Sequence, residues 1–334
     1  ICLNDKETDA AYAEDTKPDN ATEIAVAVAD SKKYISTCTK KNPYLRYFGT
    51  ANAARDMDIL RAALGEEKLN FLGKSYGTYL GTLYANFFPE RVGKFVLDGA
   101  IDPSISNLDQ SISQAVGFDR ALDAFIDDCY THKDCVLPQP HTSAIAYIKE
   151  LFTSAATTPL KSSSKREVTE SLLVVGTAAA LYDDNQGWPT LRKAFKEAHS
   201  GKGDAFLSLV DFYAGRDSRG HYDTNEYDSG AIIDCLDWQE KRTLDRIRSD
   251  AATFSEQAPV FGPYLAYAAL ACQQFKGVQA TPSITSITTT NPVVIIGVTR
   301  DPATPYQWAV GLSKILTNSL LISLNADGHT GQGR

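Results

Sequence analysis

A serine between two glycines is the first feature of this sequence that could do chemistry. The segment Gly73–Gly77, GKSYG, fits the pattern Gly-x-Ser-x-Gly, in which a serine sits on a tight strand-to-helix turn. An apolar run at 69–72 precedes this segment, and a helical pattern follows it at 76–88. That context favours a nucleophilic serine over a turn that only caps a helix. We therefore predict Ser75 as the nucleophile of an acyl-transfer reaction.

The serine also needs a base, because its hydroxyl attacks a carbonyl only after its proton is removed. Of the five histidines, only His329 follows a late strand, in a glycine-rich loop that could carry an imidazole to the serine. The other four lie between 104 and 289, where helical segments dominate, and are better explained as surface side chains: His132, His141, His199 and His221. We predict His329 as the general base.

Two aspartates compete for the role of the acid that orients His329. Asp98 ends the strand after the predicted nucleophile helix, and Asp301 follows the strand at 293–298. We favour Asp301, which directly precedes the last helix–strand pair and then His329, in the order serine, aspartate, histidine. Asp98 lies in the turn sequence LDGAID, where we expect its carboxylate to accept hydrogen bonds from the amides of that turn.

Acyl transfer by these side chains also needs a site for the oxyanion. His329 would take the proton of Ser75 and pass it to the leaving group, while Asp301 orients the imidazole. Two backbone amides normally stabilise the oxyanion, and one should be the amide of Tyr76. The other comes from a glycine-rich loop after an earlier strand, and residues 1–72 contain no such loop. We expect the second donor to be missing from this chain.

The elements around these residues alternate between strands and helices, as in a parallel sheet with crossover helices. From 104 to 289 helical segments dominate, and residues 1–50 show no clear period. We predict an α/β fold with a sheet core at 1–103 and 290–334 and a mainly helical cap domain at 104–289. The predicted strands are 69–72, 93–98, 293–298 and 319–324. The predicted helices are 53–64, 76–88, 107–129, 142–154, 167–183, 189–198, 203–214, 229–248 and 306–317.

Charge and composition exclude several classes of partner. The 334 residues carry a formal net charge of -8, so the chain has no electrostatic attraction for nucleic acid or an anionic membrane. No apolar run reaches the roughly 18 residues that a membrane-spanning helix needs. We expect no nucleic-acid partner and no membrane contact, and the oligomeric state stays open.

The cysteines favour disulfides over metal binding. They form no Cys-x-x-Cys pair and no His-Cys cluster at zinc spacing, so we expect no metal and no cofactor. An even, scattered set favours an oxidising compartment over buried free thiols. The chain begins at Ile1 with no signal peptide, and we expect a secreted protein whose leader is not part of this sequence. Pairing of nearest neighbours would give Cys2–Cys38, Cys129–Cys135 and Cys235–Cys272.

Several segments resemble the secreted tripeptidyl aminopeptidases, a branch of the α/β-hydrolases related to proline iminopeptidases. The resemblance covers nearly the whole chain and is most specific around the nucleophile. It rests on AARDMDILRAALG (53–65), FLGKSYGTYLGTLYANFFPERVGKFVLDGAIDP (71–103), DCLDW (234–238), APVFG (258–262), Cys272, DPATP (301–305) and GHTGQGR (328–334). By this resemblance Ser75, Asp301 and His329 match the family's triad, and 104–289 matches its helical cap.

The resemblance also implies that parts of the family's pattern lie outside this sequence. Members carry a glycine-rich oxyanion loop and a strand with an Arg-Gly-x-Gly turn upstream of the position of Ile1. Members also continue past the histidine loop into a final helix. On this ground we expect a chain that is truncated at both ends, with N-terminal strands missing and with a catalytically incomplete site.

The resemblance implies a peptidase that releases tripeptides, other short peptides or single residues from peptide substrates with a free N-terminus. Such an exopeptidase needs a carboxylate for the substrate's α-ammonium, and the candidate acids are Glu226, Asp234 and Asp237. Candidates for an apolar acyl pocket are Trp238, Phe261 and Tyr264. Two other functions stay open: a carboxylesterase or lipase with the same triad, and a binding protein on a hydrolase scaffold.

Overall fold

The chain forms two compact units. A computed structural model describes residues 2–238, 242–275 and 283–333. The sheet unit consists of Tyr44–Gly117, Ile232–Glu240 and Phe275–Arg334. The helical unit consists of Ile1–Pro43, Phe118–Ala231 and Lys241–Gln274. Among the described residues, no helix has the length and apolar character needed to cross a membrane.

The secondary structure is mainly helical. The strands of the described residues are β1 (Leu69–Lys74), β2 (Val92–Asp98), β3 (Val293–Arg300) and β4 (Ser319–Asp327). The α-helices are α1 (Asp5–Ala13), α2 (Ala21–Lys41), α3 (Thr50–Ala63), α4 (Tyr76–Phe87), α5 (Asn107–Tyr130), α6 (His141–Thr157), α7 (Glu170–Leu181), α8 (Gly187–Ala198), α9 (Asp204–Ala214), α10 (Glu226–Asp237), α11 (Leu244–Gln257), α12 (Gly262–Leu265) and α13 (Tyr306–Ile315).

The strands form one parallel sheet in the order β1-β2-β3-β4. The central strands β2 and β3 consist largely of apolar and β-branched residues, which favour extended backbone. Because all strands run in the same direction, their carboxyl ends share one edge of the sheet. At that edge, in the register of the sheet, Lys74 lies opposite Asp98 and Arg300 lies opposite Asp327.

Aromatic side chains pack α4 against the sheet. The ring of Phe95 on β2 lies 5.4 Å from that of Phe71 on β1 and 5.7 Å from that of Tyr84 on α4. Both Phe95 and Tyr84 are buried, and each such ring contributes about 1.5–3 kcal/mol by leaving water. Gly81 allows the close approach, since a Cβ there would lie 2.7 Å from the Phe71 ring. This packing fixes the start of α4 at the end of β1.

The helical unit is built around α7, which contacts α6, α8 and α9 and is buried on almost every side. A helix that is apolar all round belongs in a core. Phe195 packs edge-on against Phe206 at 5.5 Å between ring centres, which joins α8 to α9. Disulfides Cys2–Cys38 and Cys129–Cys135 close two loops of this unit, as predicted. Cys235 and Cys272 are disulfide-bonded as well.

The predicted α/β fold is confirmed, and all four predicted strands form. One predicted helix is wrong: 229–248 is not continuous, because α10 ends at Asp237 and α11 begins at Leu244. Thr243 caps α11 by accepting a hydrogen bond from the amide of Arg246 at 3.2 Å. The sequence from 244 onward therefore belongs to a second helix with its own start.

The N-terminal region contains helices that the sequence analysis missed. Asn4 caps α1, where its side chain accepts from the amide of Glu7 while the Glu7 carboxylate accepts from the amide of Asn4. Asn20 caps α2, where its side chain accepts from the amides of Thr22 and Glu23. These helices cluster with the helical unit, whereas the predicted boundaries placed residues 1–43 with the sheet core. The division into catalytic and cap domains stays a prediction.

Candidate active site

Ser75 lies on a strained turn between β1 and α4. Its backbone angles are φ 52° and ψ -123°, a conformation that side chains other than glycine rarely adopt and that costs about 1–3 kcal/mol. The amide of Ser75 donates to the carbonyl oxygen of Asp98 at 2.9 Å, which fixes the turn to β2. A Cβ at Gly73 would lie 2.4 Å from the carbonyl oxygen of Gly77, so the turn requires glycine at 73.

His329 and Asp301 meet at the same edge of the sheet. Asp301 directly follows β3, and His329 lies just beyond β4. The imidazole Nδ1 lies 2.9 Å from both carboxylate oxygens of Asp301, and Asp301 is only 3% exposed. A carboxylate at Nδ1 holds the proton on that nitrogen, which leaves Nε2 as the basic nitrogen of the ring. The pair therefore has the arrangement of a histidine base and its orienting acid.

Asp301 is itself held in place by its own turn and by the histidine loop. One carboxylate oxygen accepts from the amides of Ala303 and Thr304 at 2.9 and 2.8 Å. The other accepts from the Thr304 hydroxyl at 3.0 Å and from the amide of Thr330 at 3.1 Å. These four hydrogen bonds fix the position of the Asp301 carboxylate beside the imidazole. Thr304 was not among the predicted site residues.

Asp98 anchors the histidine loop from the other side. Its two carboxylate oxygens accept from the amides of Gly331 and Gln332, each at 2.7 Å, and its side chain is fully buried. The next residue, Gly99, lies so close to the imidazole that a Cβ there would be 3.2 Å from its Cε1 atom. The backbone of 98–99 therefore contacts both the Ser75 turn and the His329 ring. Asp98 thus binds amides of the histidine loop and not the expected amides of its own turn, whereas Asp301 contacts the imidazole.

Two acids at the end of α10 differ in their surroundings. Asp237 is buried and accepts from Thr50 twice, through the amide at 2.8 Å and through the hydroxyl. The Thr50 hydroxyl also contacts the hydroxyl of Tyr76, the residue after Ser75. Asp234 lies one turn earlier on α10 and reaches solvent. Among the residues that the structure describes, no group donates a hydrogen bond to its carboxylate.

The carboxyl groups at the end of α10 bind protons more tightly than ordinary aspartates. The protein atoms packed around Asp234, together with the Asp237 carboxylate, raise the pKa of Asp234 to about 6. Burial raises the pKa of Asp237 to about 6 as well, against the opposing effect of the Thr50 hydrogen bonds. Carboxylates at a helix C-terminus also face the negative end of the helix dipole. A positive charge placed here would be stabilised.

The other candidates are Glu226, Trp238, Phe261 and Tyr264. Glu226 is exposed in the first turn of α10, about three turns from Asp237. Trp238 stacks on Tyr79 of α4 at 5.8 Å between ring centres. Phe261 is buried in the helical unit against Phe118, and Tyr264 there donates to Glu170 at 2.6 Å. Phe261 therefore belongs to the core of the helical unit and not to an open pocket.

One group of described side chains has the spacing of metal ligands: Cys2, Cys38 and Asp228. The two sulfur atoms are joined in a disulfide, so they offer no thiolate to a metal. Asp228 accepts from the amide of Cys2 and from the Tyr34 hydroxyl at 3.1 Å. The disulfide and these hydrogen bonds account for the close spacing of Cys2, Cys38 and Asp228.

Comparisons with known proteins place these residues in a family. An alpha/beta hydrolase fold model matches residues 27–196, and a model described as TAP-like protein matches 258–334. The chain is 33% identical to serine protease Hip1 of Mycobacterium tuberculosis, over 96% of this chain and 64% of that protein. It is 29% identical to tripeptidyl aminopeptidase of Streptomyces lividans, over 99% of this chain and 62% of that protein. These similarities confirm the predicted resemblance to α/β-hydrolase serine peptidases.

Other similar proteins carry different names. Carboxylesterase B of M. tuberculosis is 33% identical over 86% of this chain and 56% of its own length. Among solved structures, an esterase (EaEST) from Exiguobacterium antarcticum aligns with 85% of this chain and 68% of its own, with a TM-score of 0.34 at 14% identity. The chain thus spans less than two thirds of the length of the curated relatives named here.

Proposed function

Because the chain belongs to the α/β-hydrolase fold family, we propose that it is a serine hydrolase with Ser75 as nucleophile, His329 as base and Asp301 as acid. The contact between His329 Nδ1 and the Asp301 carboxylate, beside the strained turn of Ser75, carries this proposal. The three residues come from three separate strand ends of one sheet. Convergence of these residue types at one edge is what acyl transfer requires.

Each residue has one role in the proposed reaction. Ser75 Oγ attacks the substrate carbonyl as His329 Nε2 takes its proton, and the Asp301 carboxylate stabilises the resulting imidazolium. The amide of Tyr76 donates to the oxyanion, since it directly follows the nucleophile at the start of α4. The imidazolium then protonates the leaving group, and water releases the acyl group from Ser75 by the reverse path. The second oxyanion donor stays unassigned.

We infer that the substrates are peptides with a free N-terminus. The relatives named serine protease and tripeptidyl aminopeptidase support this substrate class. Of the three candidate acids, Asp234 is best suited to bind an α-ammonium, because its carboxylate reaches solvent and Asp237 lies beside it. Asp237 is occupied by Thr50, and Glu226 lies at the far end of α10.

A carboxylesterase is the second candidate function, and the similarity to carboxylesterase B supports it. Three substrates distinguish an aminopeptidase from a carboxylesterase: a tripeptidyl p-nitroanilide, its N-acetylated form and p-nitrophenyl acetate. An aminopeptidase cleaves the free anilide and loses activity on acetylation, whereas cleavage of the acetate ester alone contradicts the peptidase proposal. Cleavage of none, with an unreactive Ser75, would favour a binding protein.

Variants of the candidate acids test where the ammonium binds. Asp234→Asn should raise KM for the free anilide about tenfold to a hundredfold, as expected for losing a charge-assisted hydrogen bond, and leave the acetate ester unchanged. Glu226→Gln removes the same charge from the other end of α10 and is the matched control. Equal effects of the two variants would contradict the assignment of Asp234.

We also propose that the protein works outside the cytoplasm. The disulfides Cys2–Cys38 and Cys129–Cys135 support an oxidising compartment, since cytosolic proteins rarely keep such bonds. Mass spectrometry of the protein from its native source, alkylated without reduction, tests this placement. Free thiols at these cysteines would contradict it.

A further inference from the structure

We propose that Asp237 and Thr50 are positioning residues that hold Tyr76 and thereby the backbone amide that faces the oxyanion. The inference rests on the proposed function, since it concerns the same acyl-transfer reaction. It assigns to Asp237 a role other than binding the substrate ammonium. The three residues are joined by hydrogen bonds within the sheet unit.

The hydrogen bonds that link Asp237, Thr50 and Tyr76 have a defined donor and acceptor at each step. An ionised carboxylate only accepts, so the single proton of the Thr50 hydroxyl points to Asp237. Thr50 can then only accept from Tyr76, whose hydroxyl becomes the donor of the outer bond. The amide of Thr50 donates to the other carboxylate oxygen at 2.8 Å. Both oxygens of Asp237 are thus engaged by Thr50, which weakens the case for Asp237 as an ammonium ligand.

Tyr76 is a residue whose placement matters for the reaction. It is the first residue of α4, and it follows Ser75, whose ψ of -123° sets the direction of the peptide between them. The amide of Tyr76 belongs to that peptide. A donor stabilises the oxyanion only when it lies 2.7–3.1 Å from it, so a small rotation of the peptide weakens the effect. Anchoring the side chain of Tyr76 through Thr50 limits this rotation.

The anchor is rigid because its inner members are buried. Thr50 is fully buried and Asp237 is 5% exposed, whereas Tyr76 is 38% exposed. Thr50 is also the first residue of α3, and a Cβ added at Gly49 would lie 3.2 Å from Asp237 Oδ1, so the backbone packs closely around the carboxylate. A buried carboxylate is costly, and the two hydrogen bonds from Thr50 offset part of that cost at the start of α3.

The test measures hydrolysis of p-nitrophenyl acetate, which has no ammonium group, and of a tripeptidyl p-nitroanilide. Thr50→Val and Tyr76→Phe should each lower kcat about tenfold on both substrates, a fraction of the hundredfold or more that follows from losing a whole oxyanion donor. KM should change less than about twofold. Thr50→Ser keeps the hydroxyl and should restore most of kcat. A role in ammonium binding would instead raise KM for the anilide alone, which would overturn the inference.

Three controls separate the possible failures. Melting temperatures identify a Thr50→Val protein that does not fold, and Tyr76→Phe, which changes a partly exposed side chain, then decides the question alone. Unchanged kcat in Tyr76→Phe overturns the inference while leaving the proposed function intact. A wild-type protein whose Ser75 does not react with a fluorophosphonate overturns both.

Discussion

Replacing Asp301 and Asp98 separately by asparagine distinguishes orientation of the base from anchoring of its loop. Both aspartates are buried at the end of a strand, and both hold the loop that carries His329. Asp301 contacts the imidazole itself, whereas Asp98 contacts only amides beyond it. The same substitution therefore perturbs the orientation of the imidazole at Asp301 and the anchoring of the histidine loop at Asp98.

The expected losses follow from the contacts. In Asp301→Asn an NH2 group replaces one oxygen at 2.9 Å from Nδ1, and it can donate to that nitrogen. The proton then sits on Nε2, which can no longer accept from Ser75. Loss of the correct tautomer lowers kcat by about 10⁴, or about 5.5 kcal/mol.

Asp98→Asn should have a smaller effect on the reaction. The asparagine oxygen still accepts from one of the two loop amides, while its NH2 group faces the other. The loss of one charge-assisted hydrogen bond costs about 1.5–3 kcal/mol. This cost falls mainly on stability, because the contacts of His329 and Thr330 with Asp301 still hold the loop. We expect kcat to fall less than about tenfold.

The assay compares kcat for p-nitrophenyl acetate with the unfolding free energy from urea titration, for wild type and both variants. A larger loss of kcat in Asp98→Asn than in Asp301→Asn would refute the reasoning. It would show that Asp98 is the acid of the triad, the alternative that the sequence left open.

Two further predictions concern folding. Gly73→Ala should abolish labelling of Ser75 by a fluorophosphonate and lower the melting temperature, because the new Cβ would lie 2.4 Å from the Gly77 carbonyl oxygen. Gly230→Ala is the control, since a Cβ at that position meets no atom within 4 Å. Asp119 has its pKa raised to about 6 by burial, against opposing hydrogen bonds from the amides of Phe261 and Val260. The protonated Asp119 contributes fully to stability below the unfolded pKa of 3.8, and this contribution is lost as the pH rises to about 6. The unfolding free energy should therefore fall by about 1–3 kcal/mol over that pH range. The fall should be smaller in Asp119→Asn. A pH dependence equal in both proteins would contradict this assignment.

The features that could be predicted from the sequence are local ones. The turn at Ser75 is specified by a few adjacent residues, because glycine at 73 and the apolar strand before it leave few other conformations. In β3 residues 293–296 form a continuous apolar run, as in buried parallel strands, and in β2 the apolar run covers 95–97. The caps at Asn4 and Asn20 are equally local, but the sequence analysis overlooked them because the first 50 residues are largely polar.

The features that could not be predicted depend on contacts between distant residues. Thr50 and Asp237 are 187 positions apart, and no local pattern indicates that they bond. Asp98 and Gly331 are 233 positions apart, so the role of Asp98 in the histidine loop became evident only from the fold. The candidate acids could be named by type, but their burial and partners separate Asp234 from Asp237.

Labelling with a fluorophosphonate, followed by peptide mapping, tests the central claim most directly. Wild type should be modified at Ser75 only, because His329 activates this one hydroxyl. Labelling should be lost in Ser75→Ala and His329→Ala and retained in His221→Ala, which changes an exposed histidine of the helical unit. Modification of another serine, or labelling that survives in His329→Ala, would contradict the proposed triad.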